Sequence, residues 1–262
     1  MDLNTVPEPL ELDREGCLRL ADSLPDTPMN AASIGFLREG KSRAWVAGPI
    51  AGFRAAVLQW DDLPEDLVGF GTDAEALCAL LKPAKGWTCI DVEGAVAASL
   101  GNLVTERLGL KTHLHEGVYY QLLNPVKVIR HPAVRILTPA DSGLVDKAAL
   151  AEFKRNGFDP KFTSGAGVGV HAGAVVDGRV VSFVGGDRVT PRYGDMGACT
   201  LEAHRGHGYA ISAASIVAGY LQERGLIPTW STGVGNPASM KVVENLGFVE
   251  VLPRRCYVVI ER

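Results

Sequence analysis

The sequence predicts an α/β protein in which helices flank a central mixed sheet, and three observations favour that class. Runs with strand periodicity alternate with runs of helical periodicity along the second half of the chain. The first half repeats the same order in weaker form, which is typical of two similar lobes in tandem. The 262 residues, 47% of them hydrophobic and 21% charged, are enough for the core of one large or two modest domains.

The second half opens with a strand, a helix and a hairpin. The segment "AVRILT" at 133–138 alternates like a strand, and Pro139 then starts a helix that ends at Asn156. After a glycine-rich loop, two strand-like runs meet at Asp177-Gly178, which is a strong signal for a tight hairpin turn.

The remaining elements alternate between strand and helix. "YGDMGACTL" predicts a strand over 193–201, and the apolar spacing from about 208 to 224 predicts a helix. "IPTWST" predicts the next strand, and a short helix follows with Asn236 as its cap and Pro237 at its first position. "FVEV" and "RRCYVVIE" predict two closing strands, which completes the order β-α-ββ-β-α-β-α-ββ.

The first half resembles a degenerate copy of this order. "RAWVAGPIAGFRAAVLQW" is similar to the hairpin strands, and "LPEDLVGFGTDAEALCALL" places a G-x-G before an alanine- and leucine-rich helix, as the second half does. Gly71 and Gly109 lie 38 residues apart, and the corresponding Gly208 and Gly247 lie 39 apart. An internal duplication explains both similarities, and a chance likeness between alternating strands is the alternative.

Composition excludes several function classes. The net charge of −4 gives no signature of nucleic-acid binding, and no apolar run reaches the roughly 20 residues of a membrane span. The acidic start "MDLNTVPEPLELDREG" lacks the apolar core of a signal peptide. Five cysteines without C-x-x-C spacing are typical of reduced thiols. We therefore expect a cytoplasmic protein that binds neither nucleic acid nor membrane, and a homodimer stays open.

Two histidines have a spacing that occurs in metal sites. His113 and His115 share one face of a predicted strand, and Glu116 follows them. A zinc site needs at least three protein ligands, and no third ligand is evident. We therefore predict two surface imidazoles and no bound metal.

The stretch "HRGHGYA" joins a predicted strand to the helix after it. Gly206 and Gly208 are unfavourable at a helix start, because glycine loses more backbone entropy on folding than other residues. They do let a large anion approach the helix N-terminus, where unpaired N–H groups and the helix dipole bind phosphate oxygens. Arg205 adds a charge that does not titrate. A pyrophosphate is the predicted ligand, and a purely structural glycine-rich turn is the alternative.

Neither of two common nucleotide-binding patterns fits this stretch. A dinucleotide-binding fingerprint needs a third glycine where this chain has Ile211, and the phosphate-loop pattern ending in G-K-[ST] is absent. The spacing R-x-x-G-x-A from Arg205 to Ala210, between a strand and a helix, instead resembles the acetyl-CoA loop of the GNAT superfamily of N-acetyltransferases.

The resemblance extends to both sides of the loop. A bacterial branch of the superfamily has T-x-x-x-x-R-G-x-G-x-A, P-x-W, N-x-A-S and L-G-F in that order. The matching residues here are Thr200, Arg205 to Ala210, Pro228 with Trp230, Asn236 with Ala238 and Ser239, and Leu246 to Phe248. The resemblance implies a GNAT fold, with a central mixed sheet flanked by helices and two GNAT-like lobes in tandem.

The resemblance also implies a cofactor site for acetyl-CoA as co-substrate. In this family the pantetheine pairs with the strand before the loop, and a main-chain N–H of that strand stabilises the oxyanion. The residues at the implied positions are Ala198, Cys199, Thr200, Arg205, Gly206, His207, Gly208, Tyr209, Ala210, Asn236 and Ser239. Direct transfer within a ternary complex is the implied mechanism, so Cys199 lines the thioester and is not a nucleophile.

The general acid and base have weaker signals. Many relatives have a tyrosine acid four residues before the glycine of L-G-F, where this chain has Val243. Asp195 lies on the same strand face as Cys199 and is the candidate base, acting through a water. Tyr257 on the last strand is the candidate acid. A solvated strand-end carboxylate and a packing tyrosine are the respective alternatives.

Two further features concern the acceptor and the first lobe. Phe153, Phe158 and Phe162 bracket the glycine-rich loop, and by analogy with the family they form an apolar wall of the acceptor pocket. In the degenerate copy Val68 replaces the loop arginine and Asp73 adds a carboxylate at the helix start. Both changes disfavour a pyrophosphate, so the first lobe is predicted not to bind the cofactor.

The predicted function is an acetyl-CoA-dependent N-acetyltransferase that acts on the primary amine of a small molecule. Residues 1–124 form the degenerate lobe and residues 125–262 the catalytic domain, with a boundary near "NPVK". One alternative is a non-catalytic module that binds acyl-CoA and regulates a partner. Another is an acyltransferase for a longer acyl group, for which Gly165 and Gly167 leave room.

Overall fold

The structure is a computed structural model that describes residues 9–156, 158, 160, 162 and 169–261. In the first half of the chain the elements are β1 (Leu10–Glu11), α1 (Arg14–Ser23), α2 (Ala31–Glu39), β2 (Ser42–Ala47), β3 (Ala55–Trp60), β4 (Asp66–Phe70), α3 (Ala74–Leu80), β5 (Cys89–Glu93), α4 (Gly94–Leu108) and β6 (Thr112–Gln121). In the second half they are β7 (Val134–Leu137), α5 (Lys147–Arg155), β8 (Val170–Val176), β9 (Arg179–Val189), β10 (Tyr193–Thr200), α6 (Tyr209–Gln222), β11 (Ile227–Gly233), α7 (Pro237–Leu246) and β12 (Val249–Ile260). Short 3₁₀ helices precede α5 and α6 at Pro139–Leu144 and Glu202–His204.

The two halves share one pattern of strand pairing. β2, β3 and β4 pair antiparallel, and β4 pairs with β5 in parallel. Likewise β8, β9 and β10 pair antiparallel, and β10 pairs with β11 in parallel. A parallel pair needs a crossover, and α3 and α6 provide it. The weaker copy in the first half of the sequence therefore folds into the same order of strands and helices.

The chain forms two compact units. Unit 1 contains Met1–Pro25, Ser33–Val118 and Leu252–Arg262, and unit 2 contains Asp26–Ala32 and Tyr119–Val251. Most of the last strand therefore packs with the N-terminal half of the chain. The predicted domains 1–124 and 125–262 are halves of a duplicated sequence, whereas these units are defined by spatial contacts. The predicted domain boundary therefore stays a prediction.

β12 is a single strand where the sequence predicts two. The segments "FVEV" and "RRCYVVIE" belong to one strand that continues through Pro253. In unit 1 this strand lies between β5 and β6, and its ladder with β5 starts at Arg255. Proline has no N–H to donate to a neighbouring strand, so it normally interrupts strand pairing. Pro253 precedes the residues that pair with β5, so its missing N–H is not needed there.

Helices cover both faces of the sheet in unit 1, because side chains alternate along each strand. On β2, Ala44 and Val46 belong to the core formed with α1 and α2. Trp45 and Ala47 belong to the core formed with α3 and α4. Strands that are apolar on both faces are typical of a sheet between two helical layers.

β12 brings a buried ion pair into unit 1. Arg255 and Asp91 are 5% and 2% exposed, and Arg255 Nε donates to Asp91 Oδ1 at 3.0 Å. Arg255 Nη2 also donates to the main-chain oxygens of Gly69 and Asp91, at 2.8 and 3.0 Å. The guanidinium therefore joins β12 to β4 and β5, and each buried charge has a partner.

α6 packs directly on the sheet of unit 2, whose strands lie in the order β11-β10-β9-β8-β7. A Cβ at Gly186 would lie 2.6 Å from Val217, and one at Gly194 would lie 2.7 Å from Leu221. Glycine at these two positions lets helix and sheet approach closely. The close approach holds the second half of α6 against β9 and β10.

We expect Arg255→Met to lower the free energy of unfolding by about 3–5 kcal/mol, because it leaves the Asp91 carboxylate buried without its partner. The control is Arg43→Met, which breaks an exposed ion pair with Glu11 and should change the free energy by less than about 1 kcal/mol. Urea denaturation of both variants measures the difference. Equal effects would mean that the buried pair does not hold β12 in unit 1.

Candidate functional site

The loop before α6 holds its two glycines in a conformation that other residues rarely adopt. Gly206 and Gly208 have φ angles of +81° and +78°, in the left-handed region. A Cβ at either position would meet no atom within 4 Å, so the backbone angle rather than crowding requires glycine. Gly208 is also the N-cap of α6, and no side chain of the described residues caps the helix there. The first N–H groups of α6 are therefore available to a ligand.

Arg205 and His207 lie on the same loop. Arg205 is exposed, and its Nε donates to the main-chain oxygen of Thr200 at 3.4 Å. The His207 ring stacks on Tyr209 with 5.4 Å between centroids, and its Nδ1 donates to the main-chain oxygen of Arg205 at 2.9 Å. The imidazole is thus held across the loop, and the Arg205 side chain is exposed.

Glu152 of α5 ties the loop to the rest of unit 2. Its Oε1 accepts a hydrogen bond from the main-chain N–H of Glu202 at 2.6 Å. No sequence pattern marked this residue, because a glutamate on the exposed side of a predicted helix is an ordinary observation. Ala210, in the first turn of α6, is half-buried, and its side chain is a single methyl group.

β10 and β11 separate beside this loop. Their parallel ladder ends at the pair Met196 and Trp230, although β10 continues to Thr200 and β11 to Gly233. On its other side β10 stays paired with β9 as far as Thr200, and the register shifts just before Gly197. Within the described part of the chain, the end of β10 therefore has a strand neighbour on one side only.

The open side of β10 presents the main-chain groups of Ala198 and Thr200. Leu201 N donates to the main-chain oxygen of Val181 on β9 at 2.9 Å. Antiparallel pairs alternate between bonded and non-bonded residues, so Cys199 also points its N–H and C=O toward β9. Its two neighbours point theirs to the open side. Of the three strand residues assigned to the cofactor, two offer backbone groups there and Cys199 does not.

Aromatic side chains line one face of β10 at its open end. Phe183 on β9 lies edge-on to Phe153, Phe158 and Phe162, with 5.0, 5.7 and 5.5 Å between ring centroids. A Cβ at Gly197 would lie 2.9 Å from the Phe158 ring, so this ring covers the backbone there. The structure thus brings together the three phenylalanines that the sequence singled out. It also brings in Phe183. The sequence pattern did not single out this residue, because any apolar residue of an alternating strand can belong to the core.

Cys199 is a neutral thiol between this face and the loop. Its side chain is 8% exposed. Burial raises the pKa of the thiol to about 11, although the nearby Arg205 guanidinium lowers it. The thiolate is the nucleophilic form, and it is scarce at neutral pH with this pKa. The thiol is therefore a poor nucleophile at neutral pH, and its role as a lining residue stays a prediction.

Asp195 is buried at the point where the two strands part. It is 8% exposed, and Thr229 opposite it on β11 donates from Oγ1 to Asp195 Oδ1 at 3.3 Å. Strand alternation places it on the same face as Gly197, which Phe158 covers. The alternative of a solvated strand-end carboxylate does not fit this burial.

Asn236 and Ser239 both have partners within unit 2. Asn236 caps α7, because its side-chain oxygen accepts from Ser239 N at 3.2 Å. Ser239 Oγ in turn accepts from Trp230 Nε1 at 2.9 Å. Trp230 is the last residue of β11 that pairs with β10. The two residues therefore hold β11 at the point where the strands separate.

Tyr257 lies in unit 1, on β12 opposite Asp91. A Cβ at Gly117 would lie 2.6 Å from its ring, so glycine makes room for the phenol. Burial raises the pKa of the phenol, and the Asp91 carboxylate raises it further. These neighbours all belong to unit 1, and the role of Tyr257 as an acid stays a prediction.

The corresponding helix start in unit 1 is occupied by side chains of the chain itself. Asp73 caps α3 by accepting from Ala76 N at 3.0 Å, and Arg54 Nε donates to the other carboxylate oxygen at 2.9 Å. Val68, which stands where the loop of unit 2 has an arginine, is buried in β4. A capping carboxylate stabilises the helix and repels a phosphate.

Some sequence expectations concern other parts of the chain. Gly165 and Gly167, on which a longer acyl group depends, lie outside the described residues. Within the described part, no group of three or more His, Cys, Asp or Glu side chains is placed to hold a metal ion. No helix there combines the length and the apolar character needed to span a membrane.

Comparison with known families identifies the part of the chain that contains this site. Residues 174–258 match the family described as FR47-like protein. The matched range starts in β8, ends in β12 and includes the loop before α6. No curated protein matches the sequence.

Solved structures extend the similarity over nearly the whole chain. A GCN5-related N-acetyltransferase-like protein from Streptococcus suis is 17% identical with a TM-score of 0.65, and the match covers 94% of this chain and 99% of that one. A tandem GNAT protein from the clavulanic acid biosynthesis pathway is 15% identical with a TM-score of 0.55, over 97% and 98%. A GNAT-family acetyltransferase from Colwellia psychrerythraea is 13% identical with a TM-score of 0.54, over 97% and 99%. The predicted GNAT fold, with its mixed sheet flanked by helices, is confirmed.

We expect the Cys199 thiol to resist alkylation in the folded protein. With a pKa of about 11, roughly one thiol in a thousand is ionised at pH 8, so iodoacetamide should modify it at least about a hundredfold more slowly than in the unfolded chain. Mass spectrometry of the peptide that contains Cys199, with and without urea, measures both rates. Rapid modification of the folded protein at pH 7 would show that the thiol ionises near neutrality.

Proposed function

We propose that this protein, which has the fold of the GNAT acetyltransferases, transfers an acetyl group from acetyl-CoA to the primary amine of a small molecule. The observation that supports this most directly is the closeness of two stretches of backbone that, among the described residues, lack a strand neighbour on one side or a side-chain cap. The open end of β10 and the uncapped start of α6 are separated only by the loop from Leu201 to Gly208. Coenzyme A has an amide-containing arm and a pyrophosphate, which suit a strand edge and a helix start respectively.

The start of α6 would bind the pyrophosphate. The N–H groups of its first turn lie at the positive end of the helix dipole. A Cβ at Gly206 or Gly208 would meet no atom within 4 Å, so the loop is uncrowded at both glycines, and the exposed Arg205 adds a guanidinium to the loop. Each charge-assisted hydrogen bond to a phosphate oxygen contributes about 1.5–3 kcal/mol.

The open edge of β10 would bind the pantetheine arm and the thioester. The main-chain groups of Ala198 and Thr200 face this edge and can pair with the amides of the arm as a strand would. An N–H from the same edge, aimed at the thioester oxygen, stabilises the negative charge that develops there during acyl transfer. Cys199 then contributes a small neutral side chain behind the thioester.

Transfer to an amine requires that the amine lose protons and that the leaving sulfur gain one. An alkylamine with a pKa of about 10.4 is almost wholly protonated at pH 7, so a base favours the reactive form. We assign this role to Asp195, acting through a water. The amine nitrogen then bonds to the carbonyl carbon as the C–S bond breaks, and CoA leaves as the thiol after protonation. Tyr257 is the candidate donor of that proton.

The acceptor is expected to have an apolar body. Phe158 and Phe183 line the face of β10 on which Asp195 also lies. Among the described residues of this face the phenylalanines outnumber the charged groups, which favours a small amine with apolar substituents over a highly charged acceptor.

Val243 favours one further candidate function. It stands where many relatives have a tyrosine acid, and it is fully buried in α7. A protein that binds acyl-CoA without transferring the acyl group, and that regulates a partner, would not need an acid at this position. Release of free thiol in the presence of amines distinguishes the two functions.

Calorimetric titration of the full chain with acetyl-CoA should give one site per chain, because Asp73 caps the corresponding helix start in unit 1. We expect Arg205→Glu to weaken binding at least about a hundredfold, since it replaces a phosphate donor with a like charge. Arg224→Glu, at the opposite end of α6, is the control and should keep the affinity of the native protein.

Each outcome of this titration has a definite meaning. Binding together with thiol release from a panel of primary amines supports the transferase. Binding without release from any amine favours the regulatory module. Unchanged affinity in Arg205→Glu removes the phosphate-loop assignment, and two sites per chain would contradict the capped helix start in unit 1.

We expect Asp195→Asn to lower kcat at least about tenfold while the KM for acetyl-CoA changes less than about twofold, because a general base acts on the acceptor and not on cofactor binding. The matched control is Asp177→Asn in the β8–β9 turn, where asparagine tolerates the same positive φ. Steady-state thiol release measures both variants. A native kcat in Asp195→Asn would exclude the carboxylate as the base.

A further inference from the structure

α6 has a stripe of small and polar residues that packing on the sheet does not require. The stripe consists of Tyr209, Ser212, Ser215, Gly219 and Gln222, which are three or four residues apart and so share one face. Serine and glycine favour a helix interior less than alanine or leucine, and both serines are fully buried. Such a face suits a partner that offers main-chain polar groups.

The partner is the stretch of chain between β6 and β7, residues 122–133, which we call the connecting segment. Ile129 in this segment is bonded to the helix through both of its main-chain groups. Its N–H donates to Ser215 Oγ at 2.8 Å, and its C=O accepts from Ser212 Oγ at 2.8 Å. The buried serines therefore hold the connecting segment as a neighbouring strand would.

The connecting segment runs antiparallel to α6. Near the C-terminal end of the helix, the Gln222 side chain donates to the main-chain oxygen of Asn124 at 2.8 Å and accepts from Val126 N at 2.9 Å. A Cβ at Gly219 would lie 3.6 Å from Val126, so the absence of a side chain there lets the segment lie close. At about 1.5 Å per residue, the ten residues back to Tyr209 span roughly 15 Å. The far end of the segment therefore arrives at the start of α6.

Two basic residues stand at that end of the connecting segment. The His131 ring lies edge-on to Tyr209 with 4.9 Å between centroids. His131 Nδ1 accepts from Ala133 N at 3.1 Å, which leaves Nε2 as the donor. Arg130 is exposed, and within the described part of the chain its guanidinium has neither an ion pair nor a hydrogen bond. The His131 ring therefore lies against the first residue of α6, and Arg130 precedes it in the chain.

We propose that the connecting segment is part of the cofactor site and that Arg130, with His131 beside it, binds the 3′-phosphate of CoA. This inference rests on the proposed function. The N–H groups of α6 and Arg205 account for the pyrophosphate, and the 3′-phosphate is the remaining anionic group of CoA. A guanidinium suits a phosphate because it can donate two parallel hydrogen bonds. The contacts of Ser212 and Ser215 hold the main chain of Ile129, the residue before Arg130, against the first two turns of α6.

The test compares CoA with 3′-dephospho-CoA by calorimetry on the full chain. We expect the native protein to bind CoA more tightly. Arg130→Ala should weaken binding of CoA about tenfold, the loss expected for a charge-assisted contact at an exposed site, and should leave the affinity for 3′-dephospho-CoA unchanged. Lys127→Ala is the matched control, because Lys127 is an exposed cation of the same segment that lies beside Gly219 and not beside Tyr209.

Failure of this inference differs from failure of the proposed function. If the native protein binds CoA and Arg130→Ala binds it equally well, the assignment of Arg130 is wrong and the proposed function stands. An equal loss for both ligands, or an equal loss in Lys127→Ala, would also overturn recognition of the 3′-phosphate. If the native protein binds neither ligand, the proposed function and this inference are both wrong.

Discussion

Unpaired backbone groups are the constraint on which the organisation of unit 2 depends. A folded chain normally pairs nearly all of its buried N–H and C=O groups, yet within the described residues the β11 ladder stops short of the end of β10 and no side chain caps the start of α6. Glycine makes this possible twice. Gly206 and Gly208 give the loop its left-handed turns, and Gly186 and Gly194 let α6 lie close to the sheet.

Unit 1 has the same frame with those groups satisfied from within. The β4–β5 ladder ends at Val68 and Asp91, and the main-chain oxygen of Gly69 just beyond it accepts from the Arg255 guanidinium. The helix start after β4 is capped by Asp73. Two units with one order of elements therefore differ in a few side chains that decide whether backbone remains available. The two units share the order of strands and helices, and they differ in the side chains at the start of the crossover helix.

α6 connects the separate parts of the candidate site. One face packs on the sheet, its N-terminus faces the loop, and a third surface is bonded to the connecting segment through Ser212 and Ser215. A helix held on three sides has little freedom to shift, so its first N–H groups keep a fixed relation to the end of β10. Preorganised donors of this kind stabilise developing charge without having to reorient.

The sequence by itself determined the features that depend on a few neighbouring residues. Strand alternation, the glycine loop, the cap at Asn236 and the carboxylate at Asp73 all follow from local backbone and side-chain chemistry. It misassigned the end of the chain as two strands, because local periodicity does not reveal that β12 continues through Pro253 and that its pairing with β5 starts at Arg255. Only the tertiary structure decided where the β10–β11 ladder ends, that Phe183 joins the aromatic face and that the connecting segment lies along α6. Those features depend on register and contact between distant segments, which local periodicity does not specify.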